Sequence, residues 1–222
     1  MHARTRYPVR LALLAGAVAT LAAVAGCTQA RVTNVWRDPD YDTAGLRSLL
    51  VVSQEGADVD RRLWEDAIGQ GLAAHGIEAV ASYRTGDDVA GTKAAMARAL
   101  ADGRLDGALV LRPLRGETES HWVPGATTFE PHTRYDPWGR RPPVTVWRPR
   151  HEPGYREVDH IERVQATLWT TAAGGEPRMV WAATVESTNP SSADELRRDV
   201  TSGVFPALER AGVLPSRRAR GA

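Results

Sequence analysis

Leu49-Leu50-Val51-Val52, then Trp64, Ile68 and Leu72 at four-residue spacing, then the run Ile77-Glu78-Ala79-Val80-Ala81: this stretch decides the fold. Four consecutive apolar residues suit a strand covered on both faces. Trp64, Ile68 and Leu72, with Leu63 and Ala67 alongside, mark one face of a helix. Asp58 or Asp60 is placed to cap its start, and Gly76 follows its expected end near His75. Residues 77–83 then predict a second strand. A strand, helix, strand unit of this size implies two parallel strands joined by a right-handed crossover.

The pattern extends outward from this unit in both directions. Residues 31–36 predict a first strand with Val32 and Trp36 on one face of a period-two alternation. Asp38, Asp40 and Asp42 with Pro39 make a turn-rich connection. Residues 93–101 predict a second helix with Ala95, Met96, Ala99 and Leu100 buried and Gly103 ending it, and Gly107-Ala108-Leu109-Val110-Leu111 the next buried strand. Residues 164–171 and 179–187, around Gly174-Gly175, read as an antiparallel hairpin. Trp169 and Trp181 flank it and are expected near one another across it; with Trp64 they are expected in the core. Ser192-Ala193-Asp194-Glu195 is a capping box. It opens a helix carrying Leu196, Val200, Val204 and Leu208, which Pro206 is expected to kink or divide and Gly212 to close. The fold class is α/β (α+β): a single domain over residues 31–215, a mixed β-sheet with about three helices packed on it, and one long insert.

That insert, residues 116–157, carries Pro124, Pro131, Pro137, Pro142, Pro143, Pro149 and Pro153, and is too long for a plain connector. Val144-Thr145-Val146-Trp147 is a candidate short strand inside it. Trp122, Phe129, Tyr135, Trp138, Trp147 and Tyr155 argue against disorder, because disordered segments are poor in aromatic residues. Arg134, Arg140, Arg141, Arg148 and Arg150 are interleaved with them, a combination enriched at binding hot spots. Trp122, Tyr135, Trp138, Trp147, Arg148 and Tyr155 are therefore the candidate binding residues. The same residues fit a lid packed over the sheet, a surface for a protein partner, stacking on cell-wall glycans, or contact with lipid headgroups.

Upstream of the domain, Arg4, Arg6 and Arg10 precede an apolar run over residues 11–25, the layout of an export signal. Its end, Val24-Ala25-Gly26-Cys27, resembles the lipobox of bacterial lipoproteins. That resemblance implies cleavage before Cys27, a diacylglycerol thioether on its sulfur and an acyl group on its amine, with residues 1–26 as signal and 27–30 as tether. At 15 residues the run is short for a membrane span of about 20. Two or three acyl chains would hold the domain lastingly where one would not. Thr28 after the cysteine resembles the outer-membrane sorting class, so the expected address is the periplasmic face of that membrane. Cys27 is the chain's single cysteine, so the domain is expected to stand without disulfides.

Removing 26 of the 222 residues leaves 196, enough for one sizeable core. The mature part carries 25 basic against 27 acidic residues, and the excess of acid grows once the basic tail, residues 216–222, is set aside. That balance argues against a nucleic-acid partner. Gly86-Asp87-Asp88-Val89-Ala90-Gly91-Thr92-Lys93 fails as a phosphate loop, since Thr92 separates the second glycine from the lysine. Asp38, Asp40 and Asp42 alternate like the first ligands of a calcium loop, but the required Gly and Glu positions hold Thr43 and Leu49. Glu117, Glu119 and His121 alternate along one predicted strand face, a candidate cation site without zinc-type spacing. No nucleophile elbow or reactive cysteine is present, and no cofactor is implied.

Trp36-Arg37-Asp38-Pro39, Leu63-Trp64-Glu65-Asp66-Ala67, Gly76-Ile77-Glu78-Ala79, Asp106-Gly107-Ala108-Leu109-Val110 and Met179-Val180-Trp181-Ala182-Ala183 together resemble uncharacterised bacterial lipoproteins. In order of elements the chain is distantly similar to the curli-secretion lipoprotein, the lipoprotein activators of penicillin-binding proteins and the amino-terminal domain of the Tol translocation protein. The resemblance implies an envelope assembly or binding role with no catalytic residues to transfer. The expectation is a membrane-anchored, non-catalytic binding or assembly factor whose insert touches an envelope protein or cell-wall glycan. The alternative is a periplasmic ligand- or metal-binding protein or hydrolase built on Glu117, Glu119 and His121.

Overall fold

The computed structural model describes residues 30–41, 46–85, 92–171 and 176–214. The expectations for the export segment and Cys27, for Asp42, for residues 86–91, for the Gly174-Gly175 turn and for the basic tail lie outside the described residues. In chain order the elements are β1 (Arg31–Arg37), β2 (Ser48–Ser53), α1 (Asp58–Ala74), β3 (Glu78–Ala81), a 3-10 turn (Ser82–Arg84), α2 (Lys93–Gly103), β4 (Gly107–Pro113), β5 (Glu117–Val123), β6 (Ala126–Arg134), β7 (Val144–Glu152), β8 (Tyr155–Thr171), β9 (Pro177–Thr188) and α3 (Ala193–Arg210).

Six strands lie in the order β1-β9-β8-β4-β2-β3, and β5 joins the same sheet by pairing with β8. β2 is parallel to both β3 and β4, as the strand, helix, strand reading requires, and the remaining pairs are antiparallel. The sheet is therefore mixed. Successive side chains of a strand point to opposite faces, so the run Leu49-Leu50-Val51-Val52 splits between two cores. Leu49 and Val51 pack with Leu109, Leu168, Trp181 and the α1 and α3 residues Ile68, Leu72, Val204 and Leu208. Leu50 and Val52 pack with Ala108 and Val110 and the α2 residues Met96, Ala99 and Leu100.

Several local expectations are corrected. β1 shifts register between Thr33 and Trp36, with Asn34 at φ 51°; this bulge breaks the alternation, leaving Trp36 44% exposed while Val32 packs on the core. Ala57, not an aspartate, stands before α1, and Asp58 and Asp60 occupy its first turn, where their charge suits the helix dipole. Leu63 lies off the buried stripe at 44% exposure. α2 runs through Gly103, and Arg104 takes the left-handed cap at φ 50°. In the capping box Ser192 Oγ accepts from Glu195 N at 3.2 Å, but the Glu195 carboxylate reaches one residue further, to Ser191 N at 2.7 Å. α3 is not divided by Pro206; the proline and Ser202, whose carbonyl loses its helical partner, both lie on the exposed side, so the missing bond falls toward solvent rather than in the core. Trp181 sits opposite Leu168 while Trp169 pairs with Met179 across a register shift, so the two indoles enter opposite cores.

The interior also holds a carboxyl that hydrophobic patterning cannot find. Glu65 on α1 is 1% exposed. It accepts from Ser53 N at 3.1 Å, Ser82 Oγ at 2.5 Å and Tyr83 N at 3.1 Å, tying the ends of β2 and β3 to the helix between them. Asp106 does similar work at the other end of the sheet, accepting from Arg47 N and Ser48 N, both at 2.8 Å. Burial pushes the Asp106 carboxyl up, but those amides and the Ser48 hydroxyl outweigh it and hold it below its ordinary value. On the helix side, a Cβ at Gly71 would lie 2.0 Å from Phe205, so glycine is what lets α1 and α3 approach.

Two outcomes follow. Glu65→Ala strands three donors and is expected to cost roughly 3 kcal/mol or more, with Glu65→Gln milder, read from denaturant midpoints. Because Asp106 is depressed in the folded state, its stabilisation is present above the ordinary aspartate value of about 4 and is lost as pH falls through the folded one. Asp106→Asn should therefore lower stability at neutral pH and flatten the acid limb of the unfolding curve.

Candidate functional site

The insert is not a lid. β5 continues the line of β4 along β8: Pro113 pairs with Val164 and Glu117 with Ile161. At that point β9 ends, Thr188 facing Ile161. Beyond it β5 and β8 pair only with each other, down to Val123 opposite Tyr155. After a break at Pro124-Gly125 and Pro153-Gly154 the pairing resumes as β6 with β7, from Ala126 opposite Glu152 to Arg134 opposite Val144. The register is unchanged across the break. The result is one antiparallel arm, residues 117–161, reaching roughly 60 Å if straight, with every residue of β6 and β7 exposed.

Two features hold the root and a third marks the break. Asn189, at φ 52°, accepts from His160 N at 2.8 Å and donates from Nδ2 to Asp159 at 2.7 Å, extending the β9 edge by one residue. Arg163 bridges Glu117 at 2.8 Å and Glu186 at 3.0 Å, and these hydrogen bonds, Glu117 first, hold its guanidinium above the ordinary value. At the break the two backbones cross closely: a Cβ on Gly125 would meet Glu152 O at 2.4 Å, and one on Gly154 would meet the Trp122 ring at 2.5 Å. Only glycine fits there.

Directly paired residues share a face of the ribbon. One face of the outer ribbon carries Thr127, Phe129, Pro131 and Thr133 against His151, Pro149, Trp147 and Thr145; it holds no carboxylate, lysine or arginine. The other carries Glu130, His132 and Arg134 against Arg148, Val146 and Val144, with Arg150 and Glu152 nearer the break. Arg150 donates to Glu130 at 2.8 Å, which holds its guanidinium above the ordinary value, with Glu152 adding to the effect. Pro131 and Pro149 sit on the neutral face, one in each strand. Having no N–H to give, they occupy positions whose backbone amide would point away from the partner strand.

The tip is an Asp136-Pro137-Trp138-Gly139 turn. Asp136 accepts from Trp138 N at 3.2 Å, Gly139 N at 3.0 Å and Arg140 N at 3.0 Å, and Gly139 takes φ 62°. Trp138 is 78% exposed, with the Arg140 guanidinium 5.9 Å from its ring centre.

The six candidate binding residues thus lie on the arm without converging. Trp147 belongs to the neutral face of the outer ribbon and Arg148 to its other face; in the inner part of the arm Tyr155 lies on the side that carries Glu119, His121, Glu157 and Asp159, and Trp122 on the opposite side. Tyr135 and Trp138 belong to the tip, and the aromatics among the six are all exposed. Glu117, Glu119 and His121 do share a strand face. Opposite them stand Ile161, Asp159 and Glu157, and His121 lies 3.1 Å from Glu157 and 3.7 Å from Asp159. Among the described residues no three His, Asp or Glu side chains are gathered as a metal site. Asp38 is spent on a turn, accepting from Asp40 N at 3.0 Å, and on an ion pair with Arg178.

A separate groove of ≈ 1150 Å³ lies between α1 and α3, lined by Leu63, Gln70, His75, Arg197, Phe205 and Glu209 among others. Within it His75 lies 2.7 Å from Glu209 and Arg197 pairs with Asp194. No helix among the described residues is long and apolar enough to cross a membrane.

No protein-family model and no curated protein matches the chain. Among solved structures it is similar to the PelC dodecamer of Paraburkholderia phytofirmans, at 13% identity and a TM-score of 0.42 over 81% of this chain and 95% of that one. It is also similar to lipoprotein GNA1162 of Neisseria meningitidis, at 11% identity and a TM-score of 0.37 over 74% of this chain and 99% of that one. Likeness at this level defines neither a family nor a function.

Since no outer-ribbon side chain belongs to either core, the ribbon should be removable. Replacing residues 124–154 by Asn-Gly, which closes Val123 to Tyr155 as a two-residue hairpin, is expected to leave the unfolding free energy within about 1 kcal/mol, measured by urea denaturation.

Proposed function

We propose that the protein is a lipid-anchored envelope factor, held by Cys27, that works by binding rather than by chemistry, with the arm as its contact surface. One observation carries this reading. Of the large hydrophobic side chains exposed among the described residues, Trp122, Phe129, Tyr135, Trp138, Val144, Val146, Trp147, Tyr155 and Val158 lie on the arm and only Val35, Trp36, Val59 and Leu63 elsewhere. A chain that buries most of its other large apolar groups while presenting these along one projection is organised for contact. A short tether would confine the domain to the first nanometres above a bilayer, raising its effective concentration toward envelope partners. The arm then supplies reach.

Photo-cross-linking in cells, with the probe at position 129, 138 or 147 of the full chain, tests the contact surface. Specific adducts to one envelope component, with function lost in the Asn-Gly-closed variant, support it. Absence of adducts together with full function of that variant refutes it. Cys27→Ser should remove fatty-acid labelling of the chain, whereas a wild-type chain that takes up no fatty acid refutes the anchor.

A further inference from the structure

We propose that the partner of the outer ribbon and tip is an anionic phospholipid surface, on which the arm acts as a second point of membrane attachment. This rests on reading the arm as the contact surface and names what it contacts.

Four observations converge. First, the ribbon separates its side chains: Phe129, Pro131, Trp147 and Pro149 share a face without formal charge, while Arg134, Arg148 and Arg150 stand on the other with Glu130 and Glu152, both of which Arg150 engages. An amphipathic element of this kind seats its apolar face at the boundary between headgroups and acyl chains. Second, the tip joins Tyr135 and Trp138, the residue types that favour the membrane interface, to Arg140 and Arg141, whose guanidinium groups match phosphate.

Third, charge is partitioned along the molecule. The outer part of the arm, residues 122–156, holds six arginines against Glu130, Asp136 and Glu152, whereas the root of the arm adds Glu117, Glu119, Glu157 and Asp159 and no arginine, and the described residues outside 122–156 together hold sixteen basic and twenty-one acidic side chains. Near a negative surface such a molecule is oriented with the outer ribbon and tip toward it and the root and body away, each arginine close to the surface contributing about 1 kcal/mol. Fourth, the topology puts the arm on the correct side. Arg31, which opens β1, faces Glu186; Glu186 faces Arg163; and the arm leaves the sheet two residues further, at Ile161. β1 therefore starts at the end of the sheet where the arm projects. An anchor a few residues ahead of β1 would place that end of the sheet toward the bilayer.

The prolines narrow the choice of partner. Pro131 and Pro149 each remove an outward amide from one edge of the ribbon, so neither edge offers an unbroken ladder to an added strand. Contact is left to the faces and the tip.

Residues 28–222 contain every described element and lack the single cysteine, so Trp138→Cys places one environment-sensitive fluorophore at the tip without an anchor in the experiment. Sedimentation with vesicles of phosphatidylglycerol and phosphatidylethanolamine, against vesicles of phosphatidylcholine, measures binding of the unlabelled chain. The expected result is salt-sensitive binding to the anionic vesicles, weakened about tenfold or more by Arg134→Gln, Arg140→Gln and Arg141→Gln together, and abolished in the Asn-Gly-closed variant. The fluorophore should shift to the blue and be quenched by nitroxide-labelled lipid.

Equal binding to both vesicle types, or binding that survives loss of residues 124–154, overturns the inference. Absence of vesicle binding while position 138 still cross-links to an envelope protein in cells overturns the lipid partner and leaves the proposed contact function standing. Absence of both removes the two together. Circular dichroism of each variant confirms that the domain is folded.

Discussion

The strand Tyr155–Thr171 must satisfy hydrogen-bonding groups on both of its edges, and how it does so changes along its length. From Thr171 back to Ile161 it has β9 on one side, with β4 and then the start of β5 on the other. There its side chains alternate between the two faces of a covered sheet, and Val164, Ala166 and Leu168 are buried. From Ile161 to Tyr155 only β5 remains beside it, and burial falls away. One strand thus belongs first to a core and then to a lever, and the lever inherits its orientation from the core through unbroken backbone geometry. Arg163 and Asn189 sit where that change occurs. Their bonds to Glu117, Glu186 and Asp159 hold the last body residues and the first arm residues in one register.

The two regions hold themselves together differently. The body rests on buried apolar area and on a few buried polar anchors such as Glu65 and Asp106, each of which fixes backbone that would otherwise be left without a partner. The outer ribbon has no core. Its cross-strand contacts, among them Thr127 with His151 at 3.1 Å and Arg150 with Glu130 at 2.8 Å, are exposed and each contributes a few tenths of a kcal/mol to about one. A two-stranded ribbon on its own is marginal in water. Covalent continuity with β8 supplies its register, and a covered face would supply the stability that water does not.

How much of this was legible depended on whether a residue's role was local. Leu49-Leu50-Val51-Val52 and the stripe through Trp64, Ile68 and Leu72 announce a doubly covered strand and a packed helix, because burial follows the period of the element. The β1 bulge did not announce itself: Asn34 carries the left-handed turn, but nothing in Arg31-Val32-Thr33-Asn34-Val35-Trp36 shows that alternation fails there. Glu65 reads as a surface residue between Trp64 and Asp66, since its donors come from Ser53, Ser82 and Tyr83, which only the tertiary structure assembles. Arg104 took the left-handed cap for which Gly103 is the better residue type, the helix running through Gly103 before it stops.

The arm was the least legible part of the chain, and the reason is physical. Seven prolines between residues 116 and 157 read as breakers, since proline disrupts a central strand. In a ribbon with no third strand, however, half of the backbone amides point to solvent, and a proline at those positions costs no bond. Pro131 and Pro149 obey that condition, Pro124 and Pro153 mark the break with their glycines, and Pro137 turns the tip. The same residues that conceal the strands from a pattern search therefore record that they have two edges and no neighbour. A chain under selection only for a stable monomer has no reason to build this ribbon or to concentrate its exposed aromatic side chains upon it. Local rules for a self-contained core are broken together over this one segment, and the proposed contact role rests on that coincidence.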